Sequence, residues 1–411
     1  MEGLYRDLFH FCKWLIIAVF LGIVVGAAAV LFHFSVDVVT EFRVEHPYII
    51  FGLPLGGIFI AWFYKALGAK DHKGTNFVLI AVRENKLVSP STAPLIFVST
   101  LITHFFGGSS GREGAALQLG SSIADFLGKF LKLDDKDMSL ITICGMCTAF
   151  AALFGTPITA AVFSIEVISV GIMHYSALFP CVLAAATGCM IADKFGVPPT
   201  SFVIEGIPEI SVVSIMEVSA LAMLGAVLSI VFCEIMHKAS HLYKSKFESP
   251  YKMAAAGGII VILMTLIVGN EDYNGAGMSI INMAFEGHVV WYAFILKIIF
   301  TAATLGAGFK GGEIIPAFFT GATFGNFMSA HVGLTPSFGA GIGLIAVFCG
   351  VTNCPISSII LSIELFGSEG LLFFGIVCAI GYMLSGYTGL YSEQKILYSK
   401  TKAEYINRKA E

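Results

Sequence analysis

A chain of 411 residues that is 56% hydrophobic and only 13% charged cannot cover a water-facing surface, because a soluble domain carries about 25% charged residues. With a mean hydropathy of +0.84 it reads as an integral membrane protein. A net charge of -4 argues against nucleic-acid binding, which needs a basic face.

Apolar stretches recur in chain order near 14–34, 49–67, 92–106, 139–170, 177–192, 211–236, 254–269, 289–308, 313–330, 339–350 and 355–388. The first, Trp14 to Phe34, has the roughly 20 residues of a full span and does not read as a cleavable signal. Many of the others are short, fused, or interrupted by Gly and Pro. Such segments mark broken helices that meet near a bilayer midplane, where irregular backbone is tolerated only if protein or a cavity covers it. The expected division is a cytoplasmic N-terminus and first membrane helix (1–47), a first transmembrane half (48–238), a cytoplasmic linker (239–252), a second half (253–390), and a last helix with a short cytoplasmic tail (391–411).

Charge asymmetry sets an expected topology in the cell membrane. Lys65, Lys70, Lys73, Arg83 and Lys86 form one basic cluster, and Lys129, Lys132 and Lys136 a second. Lys238, Lys244, Lys246 and Lys252 form a third, and Lys395, Lys400, Lys402, Arg408 and Lys409 a fourth. All four clusters and both termini are expected in the cytoplasm. Glu205, Glu209, Glu271 and Asp272 lie in loops poor in Lys and Arg, which suits the outside.

The chain contains an internal repeat. Pro157-Ile-Thr-Ala-Ala-Val-Phe-Ser-Ile-Glu166 aligns without gaps on Pro355-Ile-Ser-Ser-Ile-Ile-Leu-Ser-Ile-Glu364, sharing Pro, Ile, Ser, Ile and Glu, with Thr159 and Ser357 conservative. Glu113 and Glu313 lie at nearly the same offset. Two related halves are the design of many transporters, and broken helices favour an inverted relation between them. Glu166 and Glu364 end equivalent segments, so they read as capping or pairing groups of the architecture.

The chemistry concentrates in two glycine-flanked acids. In Gly107-Gly-Ser-Ser-Gly111-Arg112-Glu113-Gly114, small residues precede a helix start. Glycine allows close backbone approach, and a helix start offers unpaired N–H groups and roughly half a positive charge to an anion. A carboxylate there can occupy the anion position itself and leave it when protonated. The other reading of Glu113 is a capping acid paired with Arg112. The second segment, Gly311-Gly312-Glu313-Ile314-Ile315-Pro316, is a second helix start that would aim the N–H groups of Ile314 and Ile315 at the same anion. Glu313 is either a second titratable group or a partner of Lys310. Phe77 and Phe319 lie beside these segments, where an electropositive ring edge can face an anion, although most such rings are core. Tyr391 follows the last span and could donate its hydroxyl into the pathway or anchor the chain at the interface.

Three further matches carry little. Gly306-Ala-Gly308-Phe-Lys-Gly311 fits a dinucleotide fingerprint but has no βαβ setting. Gly107-Gly-Ser109-Ser-Gly111 fits a nucleophile elbow without the strand, Asp and His that hydrolysis needs. Cys144-Gly-Met-Cys147 lies in an apolar run, where packing explains it better than redox chemistry.

Taken together and in order, these residues resemble the CLC family of chloride channels and anion/proton antiporters, over most of the chain up to Ser392. Gly111-Arg112-Glu113-Gly114 resembles the family's gating-glutamate motif, with Ala115 where proline is usual. Phe154-Gly-Thr-Pro157 and the repeated Ser-Ile-Glu resemble the helices of its dimer-forming core. Gly311 to Pro316 resembles its second anion-binding helix start, and Gly389-Leu-Tyr391-Ser its pore tyrosine. The resemblance implies an all-α fold, a CLC-like inverted repeat of broken, tilted transmembrane helices, and a homodimer with one pathway per subunit. It implies no enzyme activity, cofactor or metal.

Three departures bear on function. Lys73-Gly74-Thr75-Asn76-Phe77 stands in place of the family's serine-bearing motif. Val167 stands where chloride/proton antiporters carry an internal glutamate, and Glu313 replaces an apolar residue. The first and third resemble the family's fluoride-exporting branch, where Asn or Met is expected at Thr75. The resemblance thus implies a fluoride/proton antiporter gated by Glu113 and assisted by Glu313. Its anion-binding groups would come from Gly74, Thr75, Asn76, Phe77, Gly111, Arg112, Gly114, Ile314, Ile315, Phe319 and Tyr391. A passive chloride channel or a chloride/proton antiporter of the same family are the alternatives.

Overall fold

The computed structural model describes residues 2–69 and 74–410. Lys70 and Lys73 of the first basic cluster lie outside them. The described chain is mainly helical, and six of its helices are long and apolar enough to cross a membrane.

The helices fall into two series of eight. The first is α1 (Glu2–Glu45), α2 (Leu53–Ala66), α3 (Thr75–Arg83), α4 (Thr92–Phe105), α5 (Glu113–Phe130), α6 (Asp135–Phe154), α7 (Pro157–Glu166) and α8 (Leu178–Lys194). The second is α9 (Val212–Lys246), α10 (Pro250–Val268), α11 (Met278–Glu286), α12 (Ala293–Gly306), α13 (Ile314–Val332), α14 (Pro336–Thr352), α15 (Pro355–Phe366) and α16 (Leu371–Leu384). Packing repeats between the series. α5 lies on α6 as α13 lies on α14, and α1 lies on α6 and α8 as α9 lies on α14 and α16. Across the halves, α2 meets α10 and α7 meets α15.

Each series opens on a long helix, of 44 residues in α1 and 35 in α9. At 1.5 Å per residue α1 is about 66 Å long, far more than a 30 Å hydrocarbon core, so it runs tilted or beyond the membrane. The expected linker at 239–252 is accordingly corrected: residues up to Lys246 continue α9, whose capping box begins at Ser211. In this packing scheme α9 belongs with the second series, as α1 belongs with the first.

Two fused apolar runs divide at the same chemical signal. After α6, Gly155 turns left-handed at φ 71° and Pro157 starts α7. After α14, Asn353 does so at φ 58° and Pro355 starts α15. The left-handed residue ends one helix, and a proline whose missing N–H costs nothing at a first turn begins the next. The short α3 and α11, nine residues each, gave no apolar run long enough to notice.

The repeated acids bind reciprocally. Glu166 accepts the N–H groups of Ile356 and Ser357, at 3.1 and 2.8 Å, and the Ser357 hydroxyl. Glu364 accepts those of Ile158 and Thr159 at 3.0 and 2.8 Å. Each carboxylate satisfies the open N–H groups at the start of the other half's helix.

The expectation of a last helix within 391–411 fails. That segment forms β2 (Lys395–Tyr398) and β3 (Tyr405–Lys409), which join β1 (Ser169–Val170) in the order β1-β2-β3. β1 and β2 run parallel with Val170 opposite Ile396, and β2 and β3 run antiparallel with Ile396 opposite Arg408. The reason lies in Gln394, fully buried, whose amide donates to the carbonyl oxygens of Val167 and Thr352 at 3.0 and 2.9 Å. This ties the segment to the C-terminal ends of α7 and α14, an extended path that a helix could not follow.

The core sits where paired helices cross through glycine. Gly120 of α5 faces Gly145 of α6, and Gly321 of α13 faces Gly343 of α14, each so close that an added Cβ would collide with backbone. Without a hydrophobic drive between helices in lipid, such close packing supplies the attraction. Gly343→Leu is therefore expected to remove the folded peak in size-exclusion chromatography. Gly375→Ala, at a position with open space around it, should leave that peak unchanged or raise thermal stability by up to about 1 kcal/mol.

Candidate functional site

The turn before α5 is held by backbone and threonine bonds from the other half. The Ser109 N–H donates to Thr304 Oγ1 and the Ser109 hydroxyl bonds Thr301 Oγ1, both at 3.0 Å. Ser110 N–H donates to the Gly275 carbonyl at 3.2 Å, and Gly275 N–H to the Gly108 carbonyl at 3.1 Å. Gly111 and Gly312 then exchange N–H···O bonds of 2.8 and 2.7 Å. The two glycine-flanked segments are thus joined at equivalent positions. Gly114 follows at close range to the Gly312 backbone.

This junction delivers Glu113 to the start of α13. Its side chain is buried, at 1% exposure, and its Oε2 accepts the Ile315 N–H at 3.4 Å. The carboxylate therefore lies against one of the open N–H groups of a buried helix start, where an anion is favoured. Arg112 does not pair with it. The Arg112 guanidinium donates to Asp37 at 3.1 Å, and His33 lies 3.2 Å from the same carboxylate. Arg112 meets the site through its backbone, as the N-cap of α5.

Glu313 is the N-cap of α13 and is half-buried. It makes no ion pair with Lys310 among the described residues, and the Lys310 ammonium sits 4.6 Å from the centroid of the Tyr64 ring instead. Ile314 and Ile315 are buried and begin α13. Phe319, one turn on from Ile315, is fully buried and lies edge-on to Tyr273.

A third helix start completes the surroundings. Gly74 adopts φ 61° and caps α3, so Thr75 is its first residue. The Thr75 hydroxyl donates to the Gly114 carbonyl at 3.3 Å. Gln118, which the sequence did not single out, donates to the same carbonyl at 2.9 Å and to Thr75 at 3.5 Å, while its Oε1 is buried without a partner among the described residues. The available signal was its place one turn into α5 from Gly114, at the head of a polar stripe that continues through Ser121, Ser122 and Asp125. Phe77 is half-buried and packs on the core. Asn76 is turned toward the C-terminal segment: its Oδ1 accepts the Glu393 N–H at 3.0 Å, and Arg83 holds the Glu393 carbonyl at 2.7 Å. Tyr391 is buried at 3% exposure, and its hydroxyl has no hydrogen-bond partner among the described residues.

A cavity of about 930 Å³ reaches Glu113 and Ile315. It is lined by the C-terminal part of α1, by His104, and by the loop carrying Glu271, Asp272 and Asn274. Two residues of the basic clusters are held by neighbours: Lys409 pairs with Glu393, and Lys65 lies over the Tyr251 ring. The remaining motifs serve the architecture. Ser109 is locked to Thr301, and Cys144 and Cys147 are buried free thiols packed against Cys181.

Paired broken-helix halves with a carboxylate at a buried helix start define a membrane anion-transport protein. The comparisons agree. The model of the voltage gated chloride channel family matches residues 56–386, so the chain belongs to that family, the CLC proteins. It is 33% identical over 398 residues to a chloride/fluoride channel protein of Pseudomonas syringae pv. tomato, covering 95% of this chain and 88% of that one. A solved CLC-type fluoride/proton antiporter superposes with a TM-score of 0.91 at 28% identity, covering 94% of this chain and 98% of that one. A slow cyanobacterial Cl⁻/H⁺ antiporter shares the fold, with a TM-score of 0.78 at 17% identity over 91% of this chain and 94% of that one.

The reciprocal caps give a test of what is architecture. Glu166→Ala and Glu364→Ala each leave two helix-start N–H groups without their carboxylate, at an expected cost of about 1–3 kcal/mol per group left unsatisfied. Both variants should melt earlier in detergent, and the ratio of protons to anions moved by the fraction that folds should equal that of the wild type.

Proposed function

We propose that this protein exchanges fluoride for protons across the membrane and so exports fluoride from the cytoplasm. The observation that carries this reading is the Glu113 carboxylate resting on the Ile315 N–H in the anion's place. An ionised Glu113 and a bound anion compete for one helix start. Protonation removes the acid's claim to that site, the side chain leaves, and the anion enters. The two ligands are thereby linked by mass action.

Fluoride is small and strongly hydrated, so it leaves water only for strong donors. The N–H groups of Ile314 and Ile315, the unpartnered Tyr391 hydroxyl, and the Asn76 amide whose oxygen is already committed to Glu393 offer such donors. The edges of Phe77 and Phe319 add weaker support. Gly111, Gly114 and Gly74 let the three helix starts converge, while Thr75 and Gln118 hold the first turn of α5. Glu313, at the cap of the same helix start, passes the proton onward or steadies Glu113 as it moves. The protein works as a homodimer with one pathway per subunit and with both termini in the cytoplasm.

A passive channel is the second reading, favoured by Val167. This side chain is buried and uncharged, and the acid before it, Glu166, is committed to the start of α15.

Flux measurements separate the two. Liposomes containing the protein and loaded with fluoride should release it while taking up protons, and a fluoride gradient should drive protons uphill. Glu113→Gln is expected to abolish the proton movement. Retained fluoride-driven proton flux in that variant would refute the assignment, and chloride efflux as fast as fluoride with no proton movement would establish the channel.

A further inference from the structure

Lys297 lies in α12 and its side chain is fully buried. Its Nζ donates to the Gly275 carbonyl at 2.8 Å and to the Tyr273 carbonyl at 3.2 Å, and sits 5.1 Å from the centroid of the Phe319 ring. Every one of these neighbours is an acceptor or a π face, so the ammonium is the form that fits. Among the described residues it makes no ion pair within 4 Å. A buried ammonium without a carboxylate is costly, and inside a membrane it marks function.

The nearby charges do not neutralise it. Arg112 takes Asp37, which also faces His33. Arg43 of α1, itself buried, packs its guanidinium against Gly107 and Gly275 and so adds positive charge beside the turn that Lys297 holds. His104 of α4 bonds the Gly111 carbonyl at 3.4 Å through Nε2. Glu313, on α13, is in Coulomb range of Lys310 and Glu113. Of the carboxylates, Glu113 is the one carried by the turn that Lys297 braces, three residues on from Ser110. The same lysine also touches the site through structure. Gly275, whose carbonyl it holds, accepts the Ser110 N–H, and Ser110 adjoins the Gly111–Gly312 junction.

We propose that Lys297 is the fixed counter-charge of the anion pathway. The Glu113 carboxylate neutralises it when the start of α13 holds no anion, and a bound halide neutralises it when Glu113 is protonated and withdrawn. This rests on the exchange proposed above and adds the reason the two ligands alternate. A protonated Glu113 with an empty site leaves the ammonium uncompensated. An ionised Glu113 beside a bound halide leaves one negative charge too many. Both mixed states are disfavoured, so Lys297 suppresses the leaks that would uncouple protons from anions. Lys297 is in this sense a positioning and charge-setting residue, acting through Glu113.

The test is isothermal titration of sodium fluoride, and in parallel sodium chloride, into purified wild type, Lys297→Gln and Lys297→Met, each taken from its folded size-exclusion peak. Titrations in buffers of different ionisation heat count the protons taken up per anion. Gln keeps a donor for the two carbonyls but removes the charge, whereas Met removes both. Both variants are expected to bind the anion at least about tenfold more weakly, the scale of one lost charge interaction. Proton uptake per anion should fall as well, because Glu113 without its counter-charge is already protonated when the anion arrives. Binding and proton uptake by Lys297→Gln equal to the wild type would overturn the proposal, as would a loss confined to Lys297→Met, since either makes the carbonyl bonds rather than the charge the important part. A wild type that binds chloride and not fluoride would refute the fluoride reading alone, and the same comparison in chloride would still decide the role of Lys297.

Discussion

A helix that starts inside a membrane exposes N–H groups that no water can satisfy, and this constraint organises the whole structure. The chain answers three such starts with a carboxylate. At α7 and α15 the answer is permanent: Glu364 and Glu166 cross between the halves and close both ends with bonds of 2.8 to 3.1 Å. At α13 it is a single long contact of 3.4 Å from Ile315 to Glu113. The same chemistry is used once as a rivet and once, in the exchange proposed above, as a replaceable plug. The difference lies in the number and length of the bonds and in the cavity that reaches Glu113 and not the riveted pair.

Much of this was legible in the sequence, because the repeat is written in side chains. Pro157 to Glu166 against Pro355 to Glu364 foretold two equivalent helices, and the structure adds that each glutamate serves its counterpart. The glycine-flanked acids foretold two helix starts near one another. What escaped notice depends on contacts distant in the chain. Gln118 is unremarkable until Thr75 and Gly114 meet it, and Lys297 is a lone charge in an apolar run until Tyr273 and Gly275 fold over it. The C-terminal segment is not legible as strand in the sequence, because its pairing depends on Val170, far away in sequence, and on Gln394 reaching the ends of two helices. A cluster of lysines reads as a loop at 239–252, although Lys244 and Lys246 decorate the last turn of α9, where cations suit the dipole.

The site residues divide into those the fold brings to the carboxylate and those it turns elsewhere. Ile315 and the Gly111–Gly312 pair stand at Glu113, and Thr75 and Gln118 brace the turn beneath it. Arg112, though adjacent in sequence, is directed to Asp37. Asn76 is directed to the C-terminal segment, where its Oδ1 accepts the Glu393 N–H. Sequence adjacency is a poor guide at a helix start, since successive residues there point about 100° apart.

The reciprocal backbone bonds between Gly111 and Gly312 have a consequence for motion. They join the two halves at the point where ions would pass. Separating the halves there would break two short backbone N–H···O=C hydrogen bonds in a medium that offers no replacement. A transport cycle in which the halves rock apart about the site would have to meet that cost at every turnover. A cycle carried by rotation of one glutamate side chain meets none of it. The backbone can remain a static frame throughout, and the moving part shrinks to a few torsions of Glu113.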